Sequence, residues 1–120
     1  MDIFAKIASL EKQAKDFGFY WQDSKTIIQQ IRSECVEIEE LLENKSKNDN
    51  LQEEIGDLLH AAFSLCIYHN YNPEDTLEKS TKKFEKRFNL TKVYAQEEGL
   101  KNLKESSPQE MMKYWNKAKL

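Results

Sequence analysis

The chain has 120 residues, 39% of them hydrophobic, and a formal net charge of −3, which suits one globular domain with a single core. Its 18 Lys and Arg against 21 Asp and Glu provide no general basic field, so the composition disfavours nucleic acid as a partner. The N-terminal stretch MDIFAKIASLEK lacks a secretory pattern and apolar runs are short. We therefore expect a cytosolic protein without a membrane partner.

The first two helices are predicted from apolar residues that recur every three or four positions. Helix one is expected over residues 2–17, with Gly18 closing it in a left-handed turn. Helix two is expected over residues 24–43, before the polar loop 44–50. The predicted core stripes are Ile3, Ile7, Leu10, Ala14 and Phe17 in helix one, and Ile27, Ile31, Cys35, Ile38 and Leu42 in helix two.

The third helix is expected to begin at a cap formed by Asp49 or Asn50 and to end near His69. Gly56 costs such a helix about 1 kcal/mol, and we interpret it as a point of close helix packing. The predicted stripe is Leu51, Ile55, Leu58, Ala62 and Leu65.

A long fourth helix is expected to start after the Asn72 cap and to continue to Glu98, where Gly99 ends it. A short C-terminal helix opens at Ser107-Pro108, because a capping serine precedes a proline at the first helical position. The stripes are Leu77, Thr81, Phe84 and Phe88, then Met111, Met112, Trp115 and Ala118. The expected fold class is all-α, a bundle of about four main helices plus a short C-terminal helix.

Cysteine and histidine do not form a recognisable metal-binding pattern. Cys35 and Cys66 lie on helical stretches without a CxxC spacing, which favours reduced core thiols over a disulfide or a zinc site. Asp57-x-x-His60 imitates half of a di-iron carboxylate motif, but His69 is not part of a second such motif. We therefore expect His60 to be exposed or loosely hydrogen-bonded.

Two acid pairs face the core side of their helices. At about 100° per residue, Glu34 projects inside the apolar arc of helix two and Glu37 lies at the margin of that arc. Glu54 and Asp57 repeat the arrangement on helix three. Carboxylates a few ångströms apart repel one another, and partial burial adds a desolvation cost. A divalent cation removes both penalties, and oxygen ligands suit Mg²⁺ or Mn²⁺ rather than zinc. Spacing alone leaves open that these acids form ordinary solvated helix faces.

The acid motifs and their surroundings resemble the MazG-type nucleoside triphosphate pyrophosphohydrolases, an all-α family with an EExxE motif on one helix and ExxD on the next. The corresponding stretches are Ser33-Glu34-Cys35-Val36-Glu37 and Glu54-Ile55-Gly56-Asp57. Residues 17–21, 83–88 and 111–119 extend the resemblance over nearly the whole chain. Ser33 departs from the family pattern, since it stands where the motif has its first Glu.

The resemblance implies a single MazG-like domain over residues 1–120 that hydrolyses nucleoside triphosphates between the α and β phosphates. It also implies that a Mg²⁺ cofactor is bound by four acids, which have a catalytic role through that ion; Mn²⁺ is the alternative ion. These acids are Glu34, Glu37, Glu54 and Asp57. One of them, or Glu53, would accept the proton of the attacking water.

The same resemblance implies a set of substrate-binding residues. Lys83 and Arg87 share one helix face and match basic positions that would hold the β and γ phosphates, although such a pair also suits a solvated face. Trp115 and Lys119 match a helix that would close over the nucleotide, and Trp115 equally suits an anchor for that helix. Trp21 matches an aromatic of the base pocket, or it forms a hydrophobic staple before helix two.

Two further expectations concern partners and the alternative to catalysis. The family forms dimers or tetramers and the amphipathic helices leave apolar surface to cover, so a homodimer or homotetramer is expected. The alternative function is a non-catalytic helical interaction or regulatory module that retains the fold. Such a module would not need four inward carboxylates, and metal binding therefore discriminates between the two functions.

Overall fold

A computed structural model describes residues 2–44 and 50–120. The described residues contain five α-helices and no strand, which confirms the all-α prediction: α1 (Ile3–Phe17), α2 (Ser24–Glu43), α3 (Leu51–Tyr68), α4 (Pro73–Glu97) and α5 (Pro108–Lys117). The predicted helix bounds are confirmed to within about one residue. The predicted cap Asp49 and most of the predicted loop lie outside the described residues, while Asn50 holds the cap position of α3 without a capping side-chain hydrogen bond.

The helix ends follow local capping chemistry. Asn72 Oδ1 accepts a hydrogen bond from the backbone N–H of Asp75 at 3.0 Å, and Ser107 Oγ accepts one from the N–H of Glu110 at 3.2 Å. Gly18 ends α1 at φ 99°, a left-handed conformation in which a side chain would be strained. These three predicted helix ends are confirmed.

The chain divides into two compact units, one ending at Thr76 and the other comprising Leu77–Leu120. In the first unit α3 packs along α2 and also contacts α1. Ile27 is 0% exposed and belongs to the core. Ser24 Oγ, at the start of α2, is hydrogen-bonded to His69 Nε2, at the end of α3, over 2.7 Å. The two helices therefore run antiparallel, and the middle of one faces the middle of the other.

The second unit joins α5 to the C-terminal half of α4. Tyr114 is buried and shares a hydrogen bond with Glu98, which raises the pKa of Tyr114 to about 12. Lys113 Nζ also donates to Glu98 Oε1 at 3.2 Å. The prediction of one domain over residues 1–120 concerns both units together, and it stays a prediction.

Part of each predicted apolar stripe is exposed in the single chain. Leu42 on α2 and Ile55 on α3 are exposed, because the buried side of each helix is decided by the helix that packs against it and not by periodicity alone. Their assignment to the core is therefore wrong for the single chain. The same correction applies to Ile3, Leu10, Phe17, Leu77, Thr81, Phe84, Phe88, Met111 and Met112.

Gly56 does not mark a close helix contact. A Cβ atom at this position would meet no heavy atom within 4 Å among the described residues, so that prediction is wrong. The glycine costs α3 about 1 kcal/mol of helix propensity without a packing gain inside the single chain.

The described residues also bear on the cysteines and on membrane crossing. Cys35 and Cys66 are not bonded to each other, and both are half-buried; that they are reduced stays a prediction. In the ranges that the structure describes, no helix has both the length and the apolar character needed to cross a membrane.

Candidate functional site

The antiparallel packing of α2 and α3 brings three acids together. Glu34, Glu54 and Asp57 each offer a carboxylate oxygen, and these oxygens lie within 4.8 Å of one another. Glu34 is only 7% exposed, Glu54 is half-buried and Asp57 is exposed. The three acids therefore form a pocket of negative charge that is buried at one side and open to solvent at the other. We call this group the acid cluster.

The hydrogen bonds of the acid cluster are incomplete. Gln30 Nε2 donates to Glu34 Oε1 at 2.7 Å. Within the described part of the chain, the buried Oε2 atoms of Glu34 and Glu54 have no hydrogen-bond partner. Burying an unpaired carboxylate oxygen is costly, and ionised carboxylates have no donors to offer one another. The acid cluster therefore fits a metal ion, and its all-oxygen donor set suits a hard cation.

Among the acids that the structure describes, Glu54 has the most strongly shifted pKa. Hydrogen bonding with the Glu37 carboxyl, followed by burial and hydrogen bonding with Glu34, raises the pKa of Glu54 to about 7. The negative charges of both neighbours act in the same direction. A proton near neutral pH therefore compensates the crowding that a cation would otherwise relieve.

Glu37 occupies a different place from the other three predicted metal ligands. It is exposed and interacts with Glu54, but it is not one of the three acids whose oxygens lie within 4.8 Å of one another. Glu39, Glu40 and Glu43 are exposed on α2, as predicted for solvated charges. Glu37 is thus a neighbour of the acid cluster through Glu54.

Arg87 and Trp115 contact each other within the second unit. Arg87 Nε donates to the backbone oxygen of Trp115 at 3.0 Å, and its guanidinium carbon lies 3.9 Å from the centre of the Trp115 ring. The Phe84 ring lies 5.5 Å from the same ring. Trp115 therefore anchors α5 to α4, and the hydrogen bond uses one of the five N–H donors of Arg87.

The remaining predicted substrate residues lie on both units. Lys83 on α4 and Lys119 near the C-terminus are exposed. Trp21, in the segment before α2, is half-buried and lines a cavity together with His60. His60 itself is exposed, and its Nε2 lies 3.7 Å from Glu11 Oε1, which agrees with the expectation for this histidine.

Glu11 is an inward-facing acid that was not predicted from the sequence. It lies on α1 and accepts a hydrogen bond from Ser64 Oγ on α3. In the sequence, Glu11 shows the same pattern as Glu34, an acid on the apolar face of a helix. Glu11 follows Ile7 by four residues and precedes Ala14 by three, so it interrupts the apolar stripe of the first helix.

We predict that divalent metal binding reverses the pH dependence of stability. Without metal, the folded chain keeps a proton on Glu54 between its ordinary pKa of 4.5 and the raised value of about 7. The free energy of unfolding should therefore fall as the pH rises through this window. Metal must displace that proton, so the apparent affinity for Mg²⁺ should rise about tenfold per pH unit below pH 7 and level off above it.

Thermal denaturation between pH 5 and 8, with EDTA or with Mg²⁺, measures both effects. The Glu54→Gln variant is the control, because it removes the titrating group and should lose this component of the pH slope. A parent protein whose Mg²⁺ affinity is the same at pH 5.5 and pH 7.5 would contradict the prediction.

The clustered acids lie on two consecutive antiparallel helices, α2 and α3, which is the arrangement of the MazG class. Comparison with known proteins supports this class. The family model described as "MazG nucleotide pyrophosphohydrolase domain" matches residues 22–90. This range includes all of α2 and α3 and every residue of the acid cluster. The chain belongs to the MazG family.

Three relatives illustrate how the match is distributed. The chain is 33% identical over 110 residues, 92% of its length, to the nucleoside triphosphate pyrophosphohydrolase/pyrophosphatase MazG of Thermotoga maritima. It is 37% identical over 70 residues, 58% of its length, to the uncharacterized protein YabN of Bacillus subtilis. It is 30% identical over 80 residues, 66% of its length, to a nucleoside triphosphate pyrophosphohydrolase of Escherichia coli K12. The matches span 41%, 14% and 30% of these longer proteins.

Proposed function

We propose that this protein hydrolyses nucleoside triphosphates, NTPs or dNTPs, at the α–β phosphate bond. One water is consumed, and the products are the nucleoside monophosphate and pyrophosphate. The observation that carries the proposal is the acid cluster of Glu34, Glu54 and Asp57, with two buried carboxylate oxygens that lack partners in the described chain. The family match and the names of the relatives from Thermotoga maritima and Escherichia coli support the same reaction.

The acid cluster would hold Mg²⁺, or alternatively Mn²⁺, with Glu37 as a fourth acid beside Glu54. When bound, the ion supplies charge neutralisation for the triphosphate and activates water for attack on phosphorus. The chain itself contributes the orientation of these acids, since Gln30 fixes one oxygen of Glu34. An acid near the attacking water, one of the four or Glu53, would accept its proton.

We propose that basic residues of α4 bind the pyrophosphate that leaves. Lys83 and Arg87 lie four residues apart on α4 and would bind the β and γ phosphates. Arg87 would do so through the guanidinium N–H groups that its hydrogen bond to Trp115 does not use. Lys119 would reach a phosphate, and Trp115 would cover the nucleotide from α5. Trp21 would contact the base, because it lines a cavity between α1 and α3.

We further propose that the protein acts in the cytosol as a homodimer or homotetramer, without a nucleic-acid or membrane partner. Exposed apolar side chains on every helix support self-association, because a second copy could bury them. The net charge of −3 supports the exclusion of nucleic acid.

Product analysis tests the reaction directly. The chain is incubated with Mg²⁺ and a panel of NTPs and dNTPs, and the products are separated by ion-exchange chromatography. We expect monophosphate and pyrophosphate in equal amounts. If no triphosphate were cleaved, or if only diphosphate and orthophosphate appeared, the proposed reaction would be wrong. The alternative of a non-catalytic module would then be favoured.

A further inference from the structure

A cavity of the first unit lies between α1 and α3. Its volume is about 430 Å³, and a second cavity of about 600 Å³ shares its aromatic wall. Both volumes fall in the range of small-molecule sites. The wall consists of Phe19, Tyr20 and Trp21, which follow α1 directly and present three rings to one space.

The polar side of the cavity is built around one carboxylate. Ser64, which is 2% exposed, donates its hydroxyl to Glu11 Oε1, and His60 Nε2 lies 3.7 Å from the same oxygen. The Glu11 side chain is only 19% exposed. In the described part of the chain, no hydrogen bond reaches its other oxygen, Oε2. The cavity therefore combines aromatic rings with a fixed acceptor that has unused capacity.

The position of the cavity relates it to the acid cluster. His60 follows Asp57 by three residues on α3, so the two side chains are separated by about one helical turn, roughly 4.5 Å along the axis. A nucleotide whose phosphates lie at the acid cluster would thus have its base within reach of the cavity. Every nucleobase is a flat aromatic heterocycle, so any of the bases can stack on aromatic side chains.

The proposed function already assigns the nucleobase to this cavity through Trp21, and we infer further that Glu11 selects bases carrying an exocyclic amine. The inference deepens the proposed function and rests on it. A carboxylate only accepts hydrogen bonds. It therefore pairs with the amine of adenine, cytosine or guanine, and guanine adds a ring N–H beside its amine. Uracil and thymine present carbonyl oxygens on both sides of their ring N–H, which the negative charge of Glu11 repels.

Equilibrium binding of nucleoside monophosphates tests the inference without requiring catalysis. Isothermal titration of the full chain with dAMP, dCMP, dGMP and dTMP in Mg²⁺ gives four dissociation constants. We expect dTMP to bind on the order of tenfold more weakly than the amine-bearing nucleotides, because an unpaired buried polar group opposes it. Equal affinity of the parent protein for all four nucleotides would overturn the inference.

Glu11→Gln is the decisive variant, since its amide can donate to a carbonyl as well as accept from an amine. We expect the preference against dTMP to shrink to about threefold or less. Glu39→Gln changes an exposed acid of α2 in the same way and should keep the parent's preference. Glu11→Gln protein that folds, as judged by circular dichroism, and keeps the full preference would refute the role of Glu11.

Trp21→Leu examines the location separately. This variant should weaken binding of all four nucleotides by a similar factor, because stacking does not depend on the amine. Unchanged affinities in Trp21→Leu would mean that the base lies elsewhere, and the inference would fail.

The outcome is distinguishable from failure of the proposed reaction. Cleavage of triphosphates with a base preference that Glu11→Gln does not alter would leave the reaction intact and reject the inference. A preference that depends on Glu11, in a protein that cleaves no triphosphate, would support the base cavity and reject the reaction.

Discussion

Glu54→Gln should lower the rate of triphosphate cleavage by about 10²–10³-fold, which is the loss expected when one preorganised electrostatic contact is removed from a reacting centre. Glu54 offers one of the three clustered oxygens, and its other oxygen is buried without a partner in the described chain. The amide keeps the shape of the side chain but removes its charge. Steady-state release of pyrophosphate at saturating Mg²⁺ measures the effect.

The same variant distinguishes an enzyme from a binding module. In the parent, millimolar Mg²⁺ should raise the melting temperature, because the ion binds the folded chain in preference to the unfolded one. Glu54→Gln should lose most of this rise, whereas Glu39→Gln, an exposed acid on α2, should retain both the rise and the activity. A parent protein without a response to Mg²⁺ or Mn²⁺ would favour the non-catalytic module.

Ile27→Ala should destabilise the folded chain far more than truncation of an exposed apolar side chain on the same helix. Ile27 is the largest fully buried apolar side chain among the described residues, at 0% exposure. Truncating a buried isoleucine costs about 2–5 kcal/mol, because a cavity replaces its packing contacts. In a chain of this length the melting temperature should fall by about 4 °C per kcal/mol. Urea denaturation followed by circular dichroism measures the change.

Leu42→Ala is the matched control on α2. Leu42 is 59% exposed in the single chain, so its truncation should cost less than about 1 kcal/mol. A loss as large as that of Ile27→Ala would contradict the exposure of Leu42 in solution.

Helix positions were predictable because helix ends are decided by local chemistry. Asn72, Ser107 and Gly18 each act within a few residues, through a capping hydrogen bond or a left-handed turn. Burial was predicted less well, because it depends on which helices become neighbours. Ile55 fits the apolar period of α3 and is nevertheless exposed, since periodicity carries no information about where the neighbouring helix lies.

The acid cluster was predictable in outline because an acid on an apolar helix face is visible in the sequence. Glu34 is buried as expected, and Glu54 and Asp57 meet it across α2 and α3. Glu37 lies at the margin of the apolar arc in the sequence pattern and is exposed in the structure, because at the margin of a helix face small differences in packing decide burial. Glu11 carries the same signal, because it interrupts the apolar stripe of α1 in the same way.

The location of the acid cluster on two different helices has a consequence for the turnover of the protein. A cation bound by Glu34, Glu54 and Asp57 would link α2 to α3, and these helices could separate only after the ion leaves. If the acids come together only after the transition state for folding, the bound ion would slow unfolding more than it speeds folding. Resistance to proteases would then follow the supply of free Mg²⁺, so depletion of the ion would shorten the lifetime of the protein.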